Sequence, residues 1–156
     1  MSGRVVHHLT RRYVSECPTF SRQFQGGHLK ALSVVQPWGS LIVKGTKSLE
    51  IRSWSPEKLP MHDIALVQNE VRLTANGQED PNGIVVAIID IVGCRAWDRS
   101  DCESSGCDES EFEEGWLAWE ITNVRELNRP IPAIAKRGFY ELTKAESDLV
   151  HLASET

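Results

Sequence analysis

Three charged residues lie close together in the stretch that follows Gly45. Lys47, Glu50 and Arg52 are separated by two residues and by one, and Trp54 lies two positions after Arg52. An arginine can hold a phosphate with two parallel hydrogen bonds, a lysine adds a point charge, and a glutamate accepts hydrogen bonds from the amino groups of a base. This set of side chains therefore suits an anionic or nucleobase-like ligand, and it contains groups that can also do acid–base chemistry.

The predicted secondary structure places these charges on one surface. Ser48–Trp54 is expected to be a strand, and residues two apart in a strand point to the same side. Glu50, Arg52 and Trp54 then share a face, and the glycine turn before the strand keeps Lys47 nearby.

The other predicted elements are short and are separated by glycine and proline turns. In chain order they are a strand at Lys30–Val34, a helix from Gln36-Pro37 to Gly45, strands at Asp63–Gln68, Gly83–Val92, Trp116–Ile121 and Phe139–Leu142, and a last helix that Thr143 and Glu146 cap. Many short strands with few helices favour a mostly β, α+β fold. We predict a small antiparallel β-barrel with two or three short helices.

Asp90 interrupts the most apolar run of the chain, GIVVAIIDIV at residues 83–92. A carboxylate in such a strand is costly to bury unless a cation or several donors pair with it. Lys47 and Arg52 are the partners that we predict, which would bring Asp90 into the same cleft.

Length and composition predict one ordinary globular domain. The chain has 156 residues, of which 40% are hydrophobic and 25% charged, as is usual for such domains. No apolar run approaches the ~20 residues of a membrane-spanning helix, and the N-terminal residues lack the apolar core of a secretory signal. We therefore expect a cytoplasmic monomer without membrane contact.

The net charge of −5 is unevenly distributed. Residues 1–28 are basic and are predicted to be an extended or disordered arm, which leaves 29–156 as the domain. Residues 94–115 form an acidic insertion with eight acidic residues and two arginines. Because this charge repels a phosphate backbone, any affinity for nucleic acid must come from a local cleft.

The cysteines do not predict a metal site. Cys17, Cys94, Cys102 and Cys107 include a C-x7-C-x4-C spacing, which differs from the paired C-x2-C of zinc sites. In the absence of an export signal we expect reduced thiols, no metal and no cofactor.

The residues of the charged stretch resemble a known family signature. Gly45, Lys47, Glu50 and Arg52 match the G-x-K-x-x-E-x-R pattern of ASCH (activating signal cointegrator homology) domains. Further similarities are Gln36-Pro37-Trp38, the strand with Asp90, the strand with Trp119, and Pro130-Ile131-Pro132 before Gly138-Phe139-Tyr140. The resemblance covers about Lys30–Leu142 and implies a PUA-like β-barrel.

The resemblance also implies a cleft that binds RNA or a nucleoside-like ligand. The ligand-binding residues that we expect are Lys47, Glu50, Arg52, Trp38, Trp54 and Gln68. One of the two tryptophans would stack on a base, as aromatic residues do in proteins that bind single strands.

Three alternatives remain open at this stage. Some small family members resemble amidohydrolases that remove an acyl group from a modified cytidine with a Lys, a Thr and a Glu. Lys47 matches the lysine, Glu50 stands where the threonine would be, and Asp90 lies near the glutamate position, so these three form the catalytic set if the protein is an enzyme. A ribonuclease could instead use Lys47 and Arg52 to stabilise a phosphate, and the charged residues could also form a purely structural ion network.

Overall fold

The computed structural model describes residues 27–155. The strands are β1 (Lys30–Val35), β2 (Leu49–Arg52), β3 (Met61–Asn69), β4 (Glu79–Asp80), β5 (Ile84–Ala96), β6 (Leu117–Pro132), β7 (Ala135–Lys136) and β8 (Phe139–Glu141), and the helices are α1 (Trp38–Lys44), α2 (Cys102–Ser105) and α3 (Lys144–Ser154). Nearly all of the predicted basic arm, and Cys17, lie outside the described residues.

Six strands form one curled sheet, in the order β2-β6-β5-β3-β1-β8. All neighbouring pairs are antiparallel except β1 and β3, which are parallel. β4 and β7 form a separate two-stranded ribbon. The predicted fold class, mostly β with short helices, is confirmed, and the sheet has the form of a half-barrel.

Both faces of the sheet are covered, which explains the continuous apolar run of β5. Alternate residues of a strand point to opposite faces, and here Ile88 packs in a cluster with Val150 of α3 while Ile89 packs in a second cluster with Ile42 of α1. A strand that is buried on both sides has no polar face, so its sequence does not alternate.

β6 is longer than predicted. The sequence suggested a strand at Trp116–Ile121, which residues 123–127 either continue or pair with as a hairpin, and a separate proline corner at 130–132. The structure shows one continuous strand from Leu117 to Pro132, which pairs with most of β5. The pairing shifts register at three places. Two of these shifts lie beside Asp90, and such irregularities bend a strand and redirect its side chains.

The helix ends follow the sequence signals. Gly45 ends α1 with φ of 79°, a left-handed conformation that glycine adopts without steric cost. Thr143 and Glu146 form the predicted capping box at the start of α3. No helix within residues 27–155 has the length and apolar character that a membrane crossing requires.

The acidic segment, which comprises residues 97–116 between β5 and β6, is folded into short helical turns. It contains two 3₁₀ turns, Arg99–Asp101 and Glu109–Glu111, besides α2. Trp97 is only 5% exposed and packs with Leu49 and Ala118 in a third apolar cluster. The segment therefore covers the end of the sheet formed by β2 and β6.

Candidate functional site

Arg52 occupies the last position of β2 and is held by two hydrogen bonds. Its Nε donates to Glu50 Oε1 at 2.9 Å, and its Nη2 donates to the main-chain oxygen of Ser33 at 2.9 Å. Nη1 makes no hydrogen bond within residues 27–155. The guanidinium is thus fixed in orientation and keeps one nitrogen for another acceptor.

Glu50 links the two cations of the motif. Besides the bond from Arg52, its Oε2 lies 3.4 Å from Lys47 Nζ. The residue is 7% exposed, so its charge is compensated by Lys47 and Arg52 rather than by water. This carboxylate positions the two cations, and the predicted same-face placement of Glu50 and Arg52 is correct.

Lys47 is buried and its donors are used within the protein. Nζ donates to the main-chain oxygens of Leu49 and Ser105, both at 2.6 Å, and the residue is 4% exposed. Ser105 belongs to α2, and the amide of Ser48 donates to the oxygen of Ser104 at 2.8 Å. Lys47 therefore attaches the acidic segment to β2, which the sequence did not predict.

Aromatic side chains also connect the strands at this end of the sheet. Trp54 follows β2 and contacts Phe139 of β8 edge-on, with ring centroids 5.8 Å apart. It also contacts Trp119 of β6 edge-on at 4.8 Å, and Trp119 stacks on Phe139 at 5.5 Å. The two edge strands of the sheet, β2 and β8, are thereby joined through side chains.

A cleft of about 770 Å³ opens at this junction. Five of the six predicted ligand-binding residues line it, and it contains five cationic residues, three carboxylates and four tryptophans. These lining residues are Lys47, Arg52, Arg72, Lys136, Arg137, Glu50, Glu111, Glu113, Trp38, Trp54, Trp97 and Trp116.

The two predicted stacking residues differ in their accessibility. Trp54 is 37% exposed. Trp38 has Lys47 Nζ 5.3 Å from its ring centroid, and a Cβ atom at Gly106 would come within 3.1 Å of its ring. Trp38 is thus half-buried against its neighbours, and Trp54 is the more exposed of the two.

One side of the cleft carries a basic rim, formed by Arg72, Lys136 and Arg137. Arg72 belongs to the loop after β3, Lys136 ends β7, and Arg137 lies in the turn between β7 and β8. Arg137 Nη1 donates to Asn76 Oδ1 at 3.0 Å, which joins the turn to that loop. No local sequence pattern indicated this rim, because Arg72 and Lys136 are 64 positions apart in the sequence.

The other side of the cleft is formed by the acidic segment. Glu111, Glu113, Cys107, Trp97 and Trp116 line it there. The sequence identified this acidic insertion but did not predict that it provides one wall of the cleft.

Asp90 lies outside the cleft, and the prediction that Lys47 or Arg52 neutralises it is wrong. Its carboxylate accepts hydrogen bonds from His62 Nδ1 at 3.0 Å, Asn123 Nδ2 at 3.1 Å, the amide of Asp63 at 3.0 Å and Arg125 Nη2 at 2.9 Å. The register shifts in β3, β5 and β6 turn these groups toward one another. The candidate catalytic residues Lys47, Glu50 and Asp90 are therefore not brought together.

These contacts change the acidity of Asp90. Burial raises the pKa of a carboxyl group, but the hydrogen bonds from Asp63, His62 and Asn123 and the charge of Arg125 outweigh burial and hold the pKa of Asp90 below its usual value. Asp90 is thus an ionised residue within a satisfied network.

Gln68 has a different role from the predicted one. Its Oε1 accepts hydrogen bonds from the amide of Ser40 at 2.8 Å and from Ser40 Oγ at 3.1 Å. The side chain thereby satisfies a free amide in the first turn of α1, and Gln68 is not among the residues that line the cleft.

The described part of the chain also shows no metal centre. Within residues 27–155 no three His, Cys, Asp or Glu side chains are arranged as metal ligands. Cys94, Cys102 and Cys107 are free thiols.

Comparisons with known proteins identify relatives of this domain. The family model for the ASCH domain matches residues 32–131. The crystal structure of ASCH from Zymomonas mobilis superposes with a TM-score of 0.54 at 19% identity, covering 80% of this chain and 95% of that one. A mutant of the same protein gives a TM-score of 0.53 at 19% identity, over 80% and 96% of the two chains. No curated protein matches the sequence.

Proposed function

The chain belongs to the ASCH domain family, and we propose that its cleft binds single-stranded RNA or a nucleoside-like ligand. The proposal rests on the way in which the Arg52 guanidinium is held. Glu50 and the oxygen of Ser33 fix its guanidinium, and Nη1 remains without a partner among the described residues, in a cleft that tryptophans line. A fixed arginine loses little entropy when it binds a phosphate oxygen.

The aromatic residues supply the second component of nucleotide binding. Trp54 is exposed at the cleft, while its contacts with Trp119 and Phe139 hold its ring in place. Stacking of a base on an aromatic ring contributes about 1–3 kcal/mol and tolerates any base. A cleft built this way favours nucleobases without strong sequence preference.

The charge of the cleft differs from that of the whole chain. The protein carries a net charge of −5, whereas cationic residues outnumber carboxylates in the cleft. Glu50 pairs with both Lys47 and Arg52, and Lys136 Nζ lies 3.4 Å from Glu79 Oε1. Arg72 and Arg137 have no carboxylate partner within residues 27–155, so they and the free Nη1 of Arg52 offer positive charge to a ligand. Local positive charge of this kind attracts phosphate despite the overall sign.

The amidohydrolase alternative receives no support from the geometry. Lys47 Nζ donates to two main-chain oxygens and lies beside Glu50. Asp90 lies outside the cleft, where four donors hydrogen-bond its carboxylate. A nucleophile or general base must reach the substrate with a free lone pair. We therefore propose a binding function, and we treat cleavage of the RNA as an outcome of the test.

The test is a fluorescence anisotropy titration of a labelled single-stranded RNA of 12 nucleotides at several salt concentrations. We expect affinity to fall with salt, because cations that contact phosphates release counterions. Arg52→Ala should weaken binding about tenfold and flatten the salt dependence by roughly one phosphate contact. Arg129→Ala, an exposed arginine outside the cleft, is the matched control.

Two results would contradict the proposal. One is affinity that Arg52→Ala leaves unchanged, and the other is an equal loss with Arg129→Ala, which would indicate contact with the general surface. The RNA recovered after each titration is examined on a denaturing gel, and shortened fragments that disappear with Arg52→Ala would favour the ribonuclease alternative.

A further inference from the structure

We propose that the cleft binds the terminal phosphate of a nucleotide and excludes the interior of a strand. The inference rests on the proposed function and specifies its ligand as a phosphomonoester, found on a free nucleotide or at the end of a strand. It follows from the unequal charge of the two sides of the cleft and from the way in which each side is fixed.

The basic rim is held in position before any ligand arrives. Asp80 is 1% exposed and accepts hydrogen bonds from the amides of Glu70, Val71 and Asn82 at 2.8, 3.0 and 2.9 Å. It thereby fixes the start of the loop that carries Arg72.

A second set of contacts connects this loop to the other part of the rim. Asp80 and Ala135 are paired in the β4–β7 ribbon, and Arg137 is bonded to Asn76. Arg72, Lys136 and Arg137 therefore form a single surface although they are far apart in sequence. Cations fixed on one side favour a ligand whose charge is concentrated at one end.

The opposite side has a concentration of negative charge. Residues 108–114, DESEFEE, contain five carboxylates and no cation, and Glu111 and Glu113 line the cleft. The segment is attached through Lys47 to the oxygen of Ser105 and through the amide of Ser48 to the oxygen of Ser104. It consequently remains beside the cleft when a ligand enters.

These two sides act differently on a strand end and on a strand interior. A strand that passes through the cleft carries phosphates on both sides of the bound base, and those beside the acidic segment are repelled over a Debye length of about 8 Å. A terminal nucleotide can place its only phosphate at the rim, and a phosphomonoester carries about −1.5 to −2 charges near neutral pH. The terminal nucleotide thus gains more attraction and avoids the repulsion.

The experiment compares RNAs that differ only at their ends. The probes are a linear RNA of 12 nucleotides with a 5′-phosphate or a 3′-phosphate, the same RNA with hydroxyl ends, and the same sequence as a covalently closed circle. We expect at least one phosphorylated end to bind about tenfold more tightly than the hydroxyl form, and the circle to bind weakest. Competition by the four nucleoside monophosphates shows whether a free nucleotide binds as well as a strand end.

The acidic segment provides an independent test. Glu113→Gln should raise the affinity for the circular RNA more than the affinity for the phosphorylated linear RNA, because it removes a charge that only an interior phosphate meets. Glu103→Gln is the control, since Glu103 is exposed in the same segment but does not line the cleft.

The results separate this inference from the proposed function. Circular RNA that binds within twofold of the phosphorylated strand, with both weakened by Arg52→Ala, would overturn the inference and leave RNA binding intact. If none of the RNAs or monophosphates binds, both are overturned. An equal effect of Glu113→Gln and Glu103→Gln would show that the acidic segment does not select the strand end.

Discussion

Arg52 Nη2 donates a hydrogen bond to the main-chain oxygen of Ser33 at 2.9 Å and so joins β2 to β1. These strands are the first and the fifth in the order of the sheet, and no backbone pairing connects them within residues 27–155. The bond therefore brings two separated strands together through a side chain. Because the same guanidinium lines the cleft, one residue takes part both in this contact between strands and in the proposed ligand binding.

Replacing Arg52 by lysine should distinguish the contribution of its positive charge to RNA binding from that of its hydrogen-bonding geometry. Arg52→Lys keeps a positive charge but cannot bond Glu50, Ser33 and a ligand in the same fork-shaped arrangement. We expect about tenfold weaker RNA binding and a melting temperature lowered by a few degrees, since a half-buried hydrogen bond to the oxygen of Ser33 is lost. Anisotropy and thermal denaturation measure the two effects. Wild-type affinity in this variant would show that charge alone suffices.

Lys47→Met should destabilise the protein and loosen the acidic segment. The variant leaves the oxygens of Leu49 and Ser105 without their donor and removes a cation from buried Glu50, at a cost of about 3 kcal/mol. For a chain of this length the melting temperature should fall by roughly 6–12 °C. Hydrogen exchange should show faster exchange at the amide of Ser48, which is bonded to the segment.

The control for this variant is Lys44→Met on the exposed side of α1. It removes the same charge from the chain without touching the segment, so we expect little change in stability. Equal destabilisation by the two variants would contradict the structural role of Lys47.

Trp54→Ala should weaken ligand binding more than Trp54→Phe. The phenylalanine retains an aromatic surface at the cleft and the contact with Phe139, whereas the alanine removes both. Loss of one base-stacking contact is expected to cost about 1–3 kcal/mol of binding free energy. RNA titration of both variants measures this, with circular dichroism to verify folding. If both variants bind RNA as tightly as the wild-type protein does, no base stacks on this residue.

Asp90→Asn should lower the free energy of unfolding at neutral pH by about 2 kcal/mol, because the four donors around it would then face a neutral amide instead of a carboxylate. The pKa of Asp90 is lowered in the folded protein. The stabilising contribution of its charge is therefore complete above the unfolded-state pKa, near 4, and is lost as the pH falls through the lower folded-state pKa. Urea denaturation at several pH values should show the difference between wild type and variant shrinking in acid.

Asp148→Asn serves as the comparison for this experiment. Asp148 pairs with Lys144 on the surface of α3, and an exposed pair of this kind contributes at most about 0.5 kcal/mol. A pH-independent effect of Asp90→Asn would show that the network does not depend on the charge of this carboxylate.

The local part of the site could be predicted from the sequence. Gly45 terminates α1, and the period of two in β2 places Glu50 and Arg52 together, because both effects act over a few residues. The cap of α3 followed from the spacing of Thr143 and Glu146 for the same reason.

The partners of Asp90 depend on distant parts of the chain. Its position in β5 was clear, but the register shifts in β3 and β6 decide that His62 and Asn123 lie beside it. Both Asp63 and Asn123 adopt positive φ, 56° and 49°, a conformation that the sequence alone does not reveal at these residues. The basic rim could not be predicted either, since the β4–β7 ribbon that assembles it consists of two-residue strands.

The attachment of the acidic segment through backbone atoms makes it a replaceable module. Lys47 and Ser48 bind the main-chain oxygens of Ser105 and Ser104, so the exposed side chain of Ser104 can change while both bonds remain. Ser105 is buried and its Oγ donates to the main-chain oxygen of Cys102 at 3.0 Å, so that residue has to be kept. The segment also joins β5 and β6, the most extensively paired strands of the sheet, which hold its two ends in place. Loops of other charge that retain Trp97 and Ser105 could therefore be grafted between Ala96 and Leu117 to give the same framework a new ligand preference.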